Sequence, residues 1–253
     1  THYTKIGKST FEYDDNVLGN YNFGKYNLYM GVLITGFAVG AEIDIRKNSF
    51  TAEFPEPSRS EYFNAIRLVG GPAMGGGTSI RIEQDTFILS DVAGGDATTG
   101  TSGIFLDGEF PSSSQTTIQN SYFYVGPTGN GIYSNFGSKN NLLIQSNIFT
   151  SDWVGSFAGY PTLDFAICLS GSMGGGNQVT GNEILYNPNT LFSIDYAHGI
   201  KTFDFLNTLY CENDLRECAY PLYFTGSSMG TQIFKNKLTG GDDGLRVDDG
   251  FIG

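Results

Sequence analysis

The sequence predicts an all-β fold, a single-stranded right-handed parallel β-helix (a solenoid) of about seven to eight coils. Three observations predict it: a six-residue phrase that recurs along the chain, a shorter alternating phrase ahead of each copy, and a composition rich in glycine and aromatics but poor in charge. The recurrent phrase reads apolar, two residues, Asn or Asp, one residue, apolar. Its copies are Ile45–Asn48–Phe50, Ile82–Asp85–Phe87, Thr117–Asn120–Tyr122, Ile144–Asn147–Phe149, Val179–Asn182–Ile184, Asp204–Asn207–Leu209 and Ile233–Asn236–Leu238. Where the first position is polar, the neighbours Ile118 and Phe205 supply the apolar side chain. The Asn/Asp positions lie 37, 35, 27, 35, 25 and 29 residues apart, a spacing in the range of repeat architectures.

The second phrase is apolar, x, apolar, x, Gly. It appears as Val32–Gly36, Ile66–Gly70, Ile104–Gly108, Ile167–Gly171 and Leu222–Gly226, and Ile132, Ile194 and Leu245 open the same phrase with one extra residue. Alternation over so few residues marks short, half-buried strands. Each unit is therefore strand, turn, strand, Asn turn and connection. Because the same strand type returns only after about 31 residues, hairpins do not fit, and the economical solution stacks each strand in parallel on its counterpart in the next coil. The handedness rule for parallel crossovers makes the coil right-handed. The recurrent Asn residues then form a ladder of side-chain amides, bonded to backbone and to one another from coil to coil. A Greek-key sandwich is the alternative, which repeats this regular disfavour.

The 253 residues read as one elongated domain, since a solenoid grows by adding units. Residues 1–29 read as an N-terminal lead-in or cap, and 30–253 as the β-helix. No signal peptide is visible before Thr1, and a fresh strand phrase opens at Leu245 just before the chain stops, so the sequence reads as truncated at its C-terminal end. With 35 Gly, 20 Phe and 15 Tyr but only 16% charged residues, the chain is turn-rich and able to fill a core. A net charge of −12 repels nucleic acid and anionic membranes, and no apolar run reaches the length of a membrane span. Anionic glycans stay open, because local basic spots can hold them. Cys168, Cys211 and Cys218 are odd in number, so at least one is free or pairs between chains; a Cys211–Cys218 disulfide and free thiols are both compatible with the sequence.

The distance from the first strand residue to the Asn varies between 13 and 19 residues, and that from the Asn to the next strand between 9 and 20. Insertions therefore gather on one leg of the coil, which in a solenoid places them along one side. The longest are 51–63, 88–102 and 150–165. The last carries the only tryptophan, Trp153, with Asp152, Tyr160 and Asp164 nearby, an aromatic plane beside carboxylates that suits a sugar ring. The outward residues of the alternating phrase form a row: Leu33, Arg67, Phe105, Tyr133, Cys168, Asp195, Tyr223 and Arg246. A second row runs through Thr35, Val69, Asp107, Asn135, Ser170, Ala197, Thr225 and Asp248. Substrate-binding candidates are thus Trp153, Tyr160, Phe105, Tyr133, Tyr223 and Arg246. Ordinary cross-strand pairing on a covered sheet explains the same rows without a ligand.

Paired carboxylates are the signature of glycan hydrolysis. The pairs available are Asp107 with Glu109, Asp152 with Asp164, and Asp195 with Asp248, beside the cluster Asp242, Asp243, Asp248 and Asp249. A lyase instead needs a base, for which His198 is the candidate, ahead of Lys201 and Arg216. The catalytic candidates are therefore Asp195, His198, Asp242, Asp243 and Asp248. His198 reads as a turn residue in the insertion before Gly199, a setting in which histidine is more often plain surface. The run Gly241-Asp242-Asp243-Gly244 resembles the Gly-Asp-Asp element of the polygalacturonase family, whose aspartates act as acid and base. The Asn-Thr-Asp element that precedes it in that family is absent here, and Gly-Asp-Asp-Gly is equally good turn chemistry. No cofactor is called for, and the only metal the four aspartates would hold is Ca²⁺, though no calcium loop matches. The triple glycines 75–77 and 174–176 read as repeat turns, not phosphate loops.

Across roughly 30–253 the paired phrases, for example Ile132-Tyr-Ser134 with Ile144-Gln-Ser-Asn147-Ile-Phe149, resemble the pectate-lyase-like right-handed parallel β-helix superfamily. Within it, 200–213 followed by Tyr220-Pro-Leu-Tyr-Phe-Thr-Gly226 resembles bacteriophage tailspike and tail-fibre β-helices. That resemblance implies a homotrimeric protein on a virion surface or otherwise extracellular, which binds host polysaccharide and sometimes cleaves it as a depolymerase. The alternatives are a secreted polysaccharide lyase or glycoside hydrolase, and a purely structural fibre or adhesin segment. No catalytic residue carries over position by position.

Overall fold

The computed structural model describes residues 3–7, 9–14, 27–35, 39–54, 61–71, 77–91, 102–126, 129–135, 137–151, 164–172, 174–186, 197–241 and 243–252. Among them are twenty-four strands and no helix. The strands, numbered in chain order, form three eight-stranded sheets. The first holds β1 (Tyr3–Gly7), β4 (Glu42–Arg46), β7 (Ser79–Glu83), β10 (Gln115–Gln119), β13 (Leu142–Gln145), β16 (Asn177–Thr180), β19 (Thr208–Cys211) and β22 (Gln232–Phe234). The second holds β2 (Thr10–Asp14), β5 (Ser49–Phe54), β8 (Thr86–Asp91), β11 (Tyr122–Val125), β14 (Ile148–Ser151), β17 (Glu183–Tyr186), β20 (Asp214–Arg216) and β23 (Lys237–Thr239). The third holds β3 (Asn27–Thr35), β6 (Glu61–Val69), β9 (Ser102–Asp107), β12 (Asn130–Ser134), β15 (Asp164–Ser172), β18 (Ala197–Phe205), β21 (Tyr220–Ser228) and β24 (Leu245–Ile252).

Every strand pairs in parallel with the strand three places along the chain, so the backbone passes through the three sheets in turn and repeats. That is a parallel β-helix solenoid. β1 and β2, in the stretch expected as lead-in, are edge strands of the first two sheets.

The corner between the first and second sheets explains the recurrent Asn. The residue before the ladder position is in the left-handed region at every corner from Lys47 to Lys235 (φ 59° and 55°), and its N–H usually donates to the next coil, as from Lys47 to Glu83 O and Ser146 to Thr180 O. The ladder residue then turns inward. Its backbone N–H donates to the side-chain oxygen of the next rung: Asn147 to Asn182 Oδ1 (3.1 Å), Asn182 to Asn213 Oδ1 (3.0 Å), Asn213 to Asn236 Oδ1 (3.0 Å). Its side-chain amide donates both to that same oxygen and back to the carbonyl of an inward residue one coil earlier, as from Asn182 to Ile144 O (3.0 Å) and from Asn213 to Val179 O (2.8 Å). A buried corner is thereby satisfied without water.

Two rungs differ from the sequence reading. Ser121, not Asn120, accepts from Asp85 N–H and donates to Asn147 Oδ1 (3.2 and 3.0 Å). Asn120 is the exposed left-handed residue before it (φ 52°), a conformation that Asn tolerates well. Asn213, not Asn207, is the rung of its coil, within Tyr210–Asn213–Leu215. Asn207 (φ 49°) sits at the corner entering the first sheet, where Asn141, Gly176 and Gly230 hold equivalent positive-φ places. The strand phrase of that coil likewise begins at Ile200, fully buried, and not at Ile194, which lies outside the described residues. The connection from Asn182 is therefore 18 residues long, one more long insertion on the leg between the second and third sheets.

Inside the coil, the residue two beyond each rung builds a stack. Phe50, Phe87, Phe123 and Phe149 lie parallel at centroid spacings of 5.0, 4.5 and 4.6 Å. Facing them across the core is a row of small residues at the start of the third sheet. A Cβ on Gly131 would sit 2.6 Å from the Phe149 ring and 2.7 Å from Ala166 O, so the ring and the glycine are two halves of one packing decision. Ile43, Ile45, Ile66, Leu68, Ile80, Ile82, Ile104 and their successors fill the rest. Cys168, Cys211 and Cys218 are buried and free, with no disulfide among them.

Asp85 is the one carboxylate in a ladder of amides and hydroxyls. Its Oδ1 accepts from Asn48 N–H and Nδ2, while Oδ2, occupying the place where neighbouring rungs carry a donating amide, has no partner. Burial raises its pKa to about 6, with Asp44 adding to the effect and the bonds from Asn48 opposing it. A carboxyl whose folded pKa lies above its unfolded value stabilises the fold fully below about pH 4, and that contribution is lost as pH rises through about 6. Asp85→Asn restores the donor and is expected to stabilise the protein at pH 7 by about 1–3 kcal/mol, flattening the stability profile between pH 4 and 6. Urea unfolding at a series of pH values measures both; an unchanged profile would show that Asp85 is already satisfied.

Candidate functional site

The outward face of the third sheet gathers aromatic, charged and polar side chains from adjacent strands. Its register sets the first outward row as Leu33, Arg67, Phe105, Tyr133, Cys168, Lys201, Tyr223 and Arg246. Lys201 stands where the sequence reading placed Asp195, which lies outside the described residues. In the second row Phe203 stands in place of Ala197, between Ser170 and Thr225. Both corrections follow from the strand phrase beginning at Ile200, six residues later than expected.

Toward the C-terminal end, β18, β21 and β24 bring together His198, Lys201, Tyr220, Tyr223, Arg246 and Asp248. His198 is the second residue of β18, not a turn residue, and is buried. Its ring lies 5.3 Å from Tyr220 and 5.4 Å from Tyr223, and its backbone carbonyl accepts from the Tyr186 hydroxyl at 2.8 Å. Arg246 spreads over both Tyr220 (4.7 Å) and Tyr223 (5.6 Å), and Lys201 Nζ lies 5.1 Å from the Tyr223 ring on the preceding coil. Asp248 Oδ2 accepts from both Tyr223 Oη and Arg246 Nε at 2.9 Å. The acid, phenol and guanidinium are thus locked together, with Arg246 and Asp248 each a little over a third exposed.

The electrostatics speak to what this group can do. Burial, then the bond to Asp248 and its charge, raises the Tyr223 pKa, so the phenol stays protonated at neutral pH and donates rather than abstracts. Arg246 is raised by Asp248, so its charge is fixed. Within this cluster Tyr223 and Arg246 therefore stand as hydrogen-bond donors.

A second gathering lies on β6, β9 and β12. Arg67 covers Phe105 (5.0 Å) and forms an ion pair with Asp107, which also accepts from Asn135 Nδ2. Phe105 and Tyr133 are neighbours at 5.2 Å, tilted by 43° rather than stacked. Beneath their turn Lys139 is fully buried, its ammonium donating to Gly108 O, Asn135 O and Gly137 O at 2.5, 3.1 and 3.3 Å. Burial lowers its pKa to about 8, against the pull of Asp107 and Glu109. Nothing in its local sequence distinguishes this lysine from a surface one. Between the two gatherings Cys168 is buried, and its thiol is pushed up to about 12, which makes it inert as a nucleophile.

Of the remaining sequence candidates, Asp243 lies in the turn entering β24, its N–H donating to Ala219 O at 3.3 Å. A Cβ on the neighbouring Gly241 would fall 1.8 Å from Cys218 O, so glycine there meets a packing demand of the turn. Asp242, Trp153, Asp152 and Tyr160 lie outside the described residues, as does the side chain of Asp164. Among the described residues no three His, Cys, Asp or Glu side chains gather as a metal site requires. Tyr220 was missed from sequence, and Lys201, named there only as a weaker base candidate, enters the outward row once the rung is placed at Asn213 and the strand phrase at Ile200.

No family model, curated protein or solved structure matches the chain.

Replacing Asp248 by Asn removes the acceptor charge that raises Tyr223, and the Tyr223 pKa is expected to fall relative to wild type. A ¹³C NMR titration of the tyrosine Cζ resonances reads this directly; an unshifted midpoint would mean that Tyr223 and Asp248 are not coupled.

Proposed function

We propose that this chain is a carbohydrate-interacting β-helix whose binding surface is the outward face of the third sheet. The observation that carries the reading is the locked cluster of Lys201, Tyr220, Tyr223, Arg246 and Asp248 on adjacent strands. It joins flat aromatic area to fixed donors and an acceptor, the combination that recognises a sugar's faces and hydroxyls. A rigid sheet holds these groups without loop ordering, which lowers the entropy cost of binding. Binding rather than cleavage is favoured because the cluster's phenol is held protonated and its carboxylate is committed to Arg246. The solenoid is read as right-handed with eight turns, on the handedness rule and the eight strands of each sheet.

The tailspike-like style of 200–226 extends the reading to a trimeric protein displayed on a virion or extracellular surface. Light scattering of the purified chain tests that extension: a trimer supports it, and a monomer at all concentrations removes it.

Binding itself is tested by screening the protein against a glycan panel and repeating the positives with Arg246→Gln. Loss of the guanidinium is expected to weaken a true ligand about tenfold or more, the value of one charge-assisted contact. If no glycan binds, or if Arg246→Gln leaves affinity unchanged, the site is wrongly placed.

A further inference from the structure

The outward face of the second sheet changes character along the solenoid axis. Its middle is apolar: Ile88, Tyr122 and Ile148, on the neighbouring strands β8, β11 and β14, are each more than a third exposed. Thr86, Tyr124 and Thr150 share their rows, none of them charged, and Leu185 follows on β17. The two ends are charged, and they differ. At the N-terminal end β2 and β5 hold Glu12, Asp14 and Glu53 and no lysine or arginine, with Glu12 in register with Thr51 and Asp14 with Glu53. At the C-terminal end Arg216 on β20 and Lys237 on β23 gather with Asp214 and Glu183, two cations for two acids.

An exposed apolar belt rimmed by polar groups marks a contact surface, and the order of the charges selects its occupant. The belt spans the third to the sixth of the eight strands, so its centre is the centre of the sheet, between β11 and β14. A two-fold axis there, lying along the strands, lays a second copy on this face in reverse order. Ile88 of one copy then lies over Leu185 of the other, Tyr122 over Ile148, and the acidic β2 and β5 over β23 and β20 with their Lys237 and Arg216. The other two-fold, along the solenoid axis, sets every strand over itself, Arg216 on Arg216 and acids on acids, and like-charge repulsion opposes it.

We infer that the second sheet is a self-complementary docking surface for a second copy of this chain, packed face to face with the solenoid axes antiparallel. Seven strand steps of about 4.8 Å and a strand width of about 15 Å give about 500 Å² on each copy, or about 1,000 Å² in all. That is the lower edge of specific interfaces, so the dimer is weak and concentration-dependent. The third sheet takes no part in it, and the carbohydrate-binding reading stands or falls separately.

Sedimentation velocity of the whole chain over a concentration series is expected to show a monomer–dimer equilibrium. Ile148→Lys is expected to weaken it at least about tenfold, since the substitution enters the interface twice. Thermal melting of the variant checks its fold. Orientation is read by cross-linking with a short bismaleimide, to which the native cysteines, all buried, are silent. Ile88→Cys protein mixed with Leu185→Cys protein is expected to give a covalent dimer, and either alone to give little, because its thiols then lie about 14 Å apart along the axis. A monomer at every concentration, or a dimer that Ile148→Lys leaves unchanged, overturns the interface. Self-linking of Ile88→Cys as efficient as linking in the mixture overturns the antiparallel arrangement. A trimer overturns the proposal and supports the virion-surface extension in its place.

Discussion

The structure depends on a hydrogen bond made at one corner: the backbone N–H of each ladder residue donating to the side-chain oxygen of the next. That bond fixes the register between coils, and a one-residue slip in register would carry every apolar side chain to the wrong face. In the coils whose rung is Asn it also lets a polar residue be buried at little cost, because the amide is satisfied twice over. With the corner pinned, the phenylalanine stack beyond it, the small-residue row facing that stack and the outward rows of the third sheet all follow in step.

The outward rows inherit their neighbours from this register. Lys201, Tyr223 and Arg246 are distant in sequence, and strand pairing alone makes them neighbours. A surface built this way is rigid and periodic, suited to a ligand that is itself extended and repetitive. The long connections between the second and third sheets lead in sequence directly into the strands that carry this face.

Much of this is legible in the sequence, and the failures have a common cause. Parallel stacking, the inward ladders and five of the seven rungs follow from periodicity alone. Asn120 and Asn207 mislead because Asn serves two purposes here, as ladder amide and as a tolerated left-handed residue, and the phrase cannot distinguish them. Ser121 is passed over because serine looks like turn chemistry until its partner is seen. Placing the rung at Asn207 puts the strand phrase at Ile194, which sets Asp195 in the outward row and makes His198 a turn residue. The buried ammonium of Lys139 has no sequence signal, since its acceptors are backbone carbonyls.

The central claim is that the proposed ligand lies on the third sheet and not on the long connections that precede its strands in sequence. Hydroxyl-radical footprinting with a glycan from the binding screen tests this most directly, because aromatic side chains report in both places. Protection of Phe105, Tyr220 and Tyr223 is the result the account requires. Protection confined to Trp153 and Tyr160, with the sheet residues oxidised as in the free protein, would contradict it.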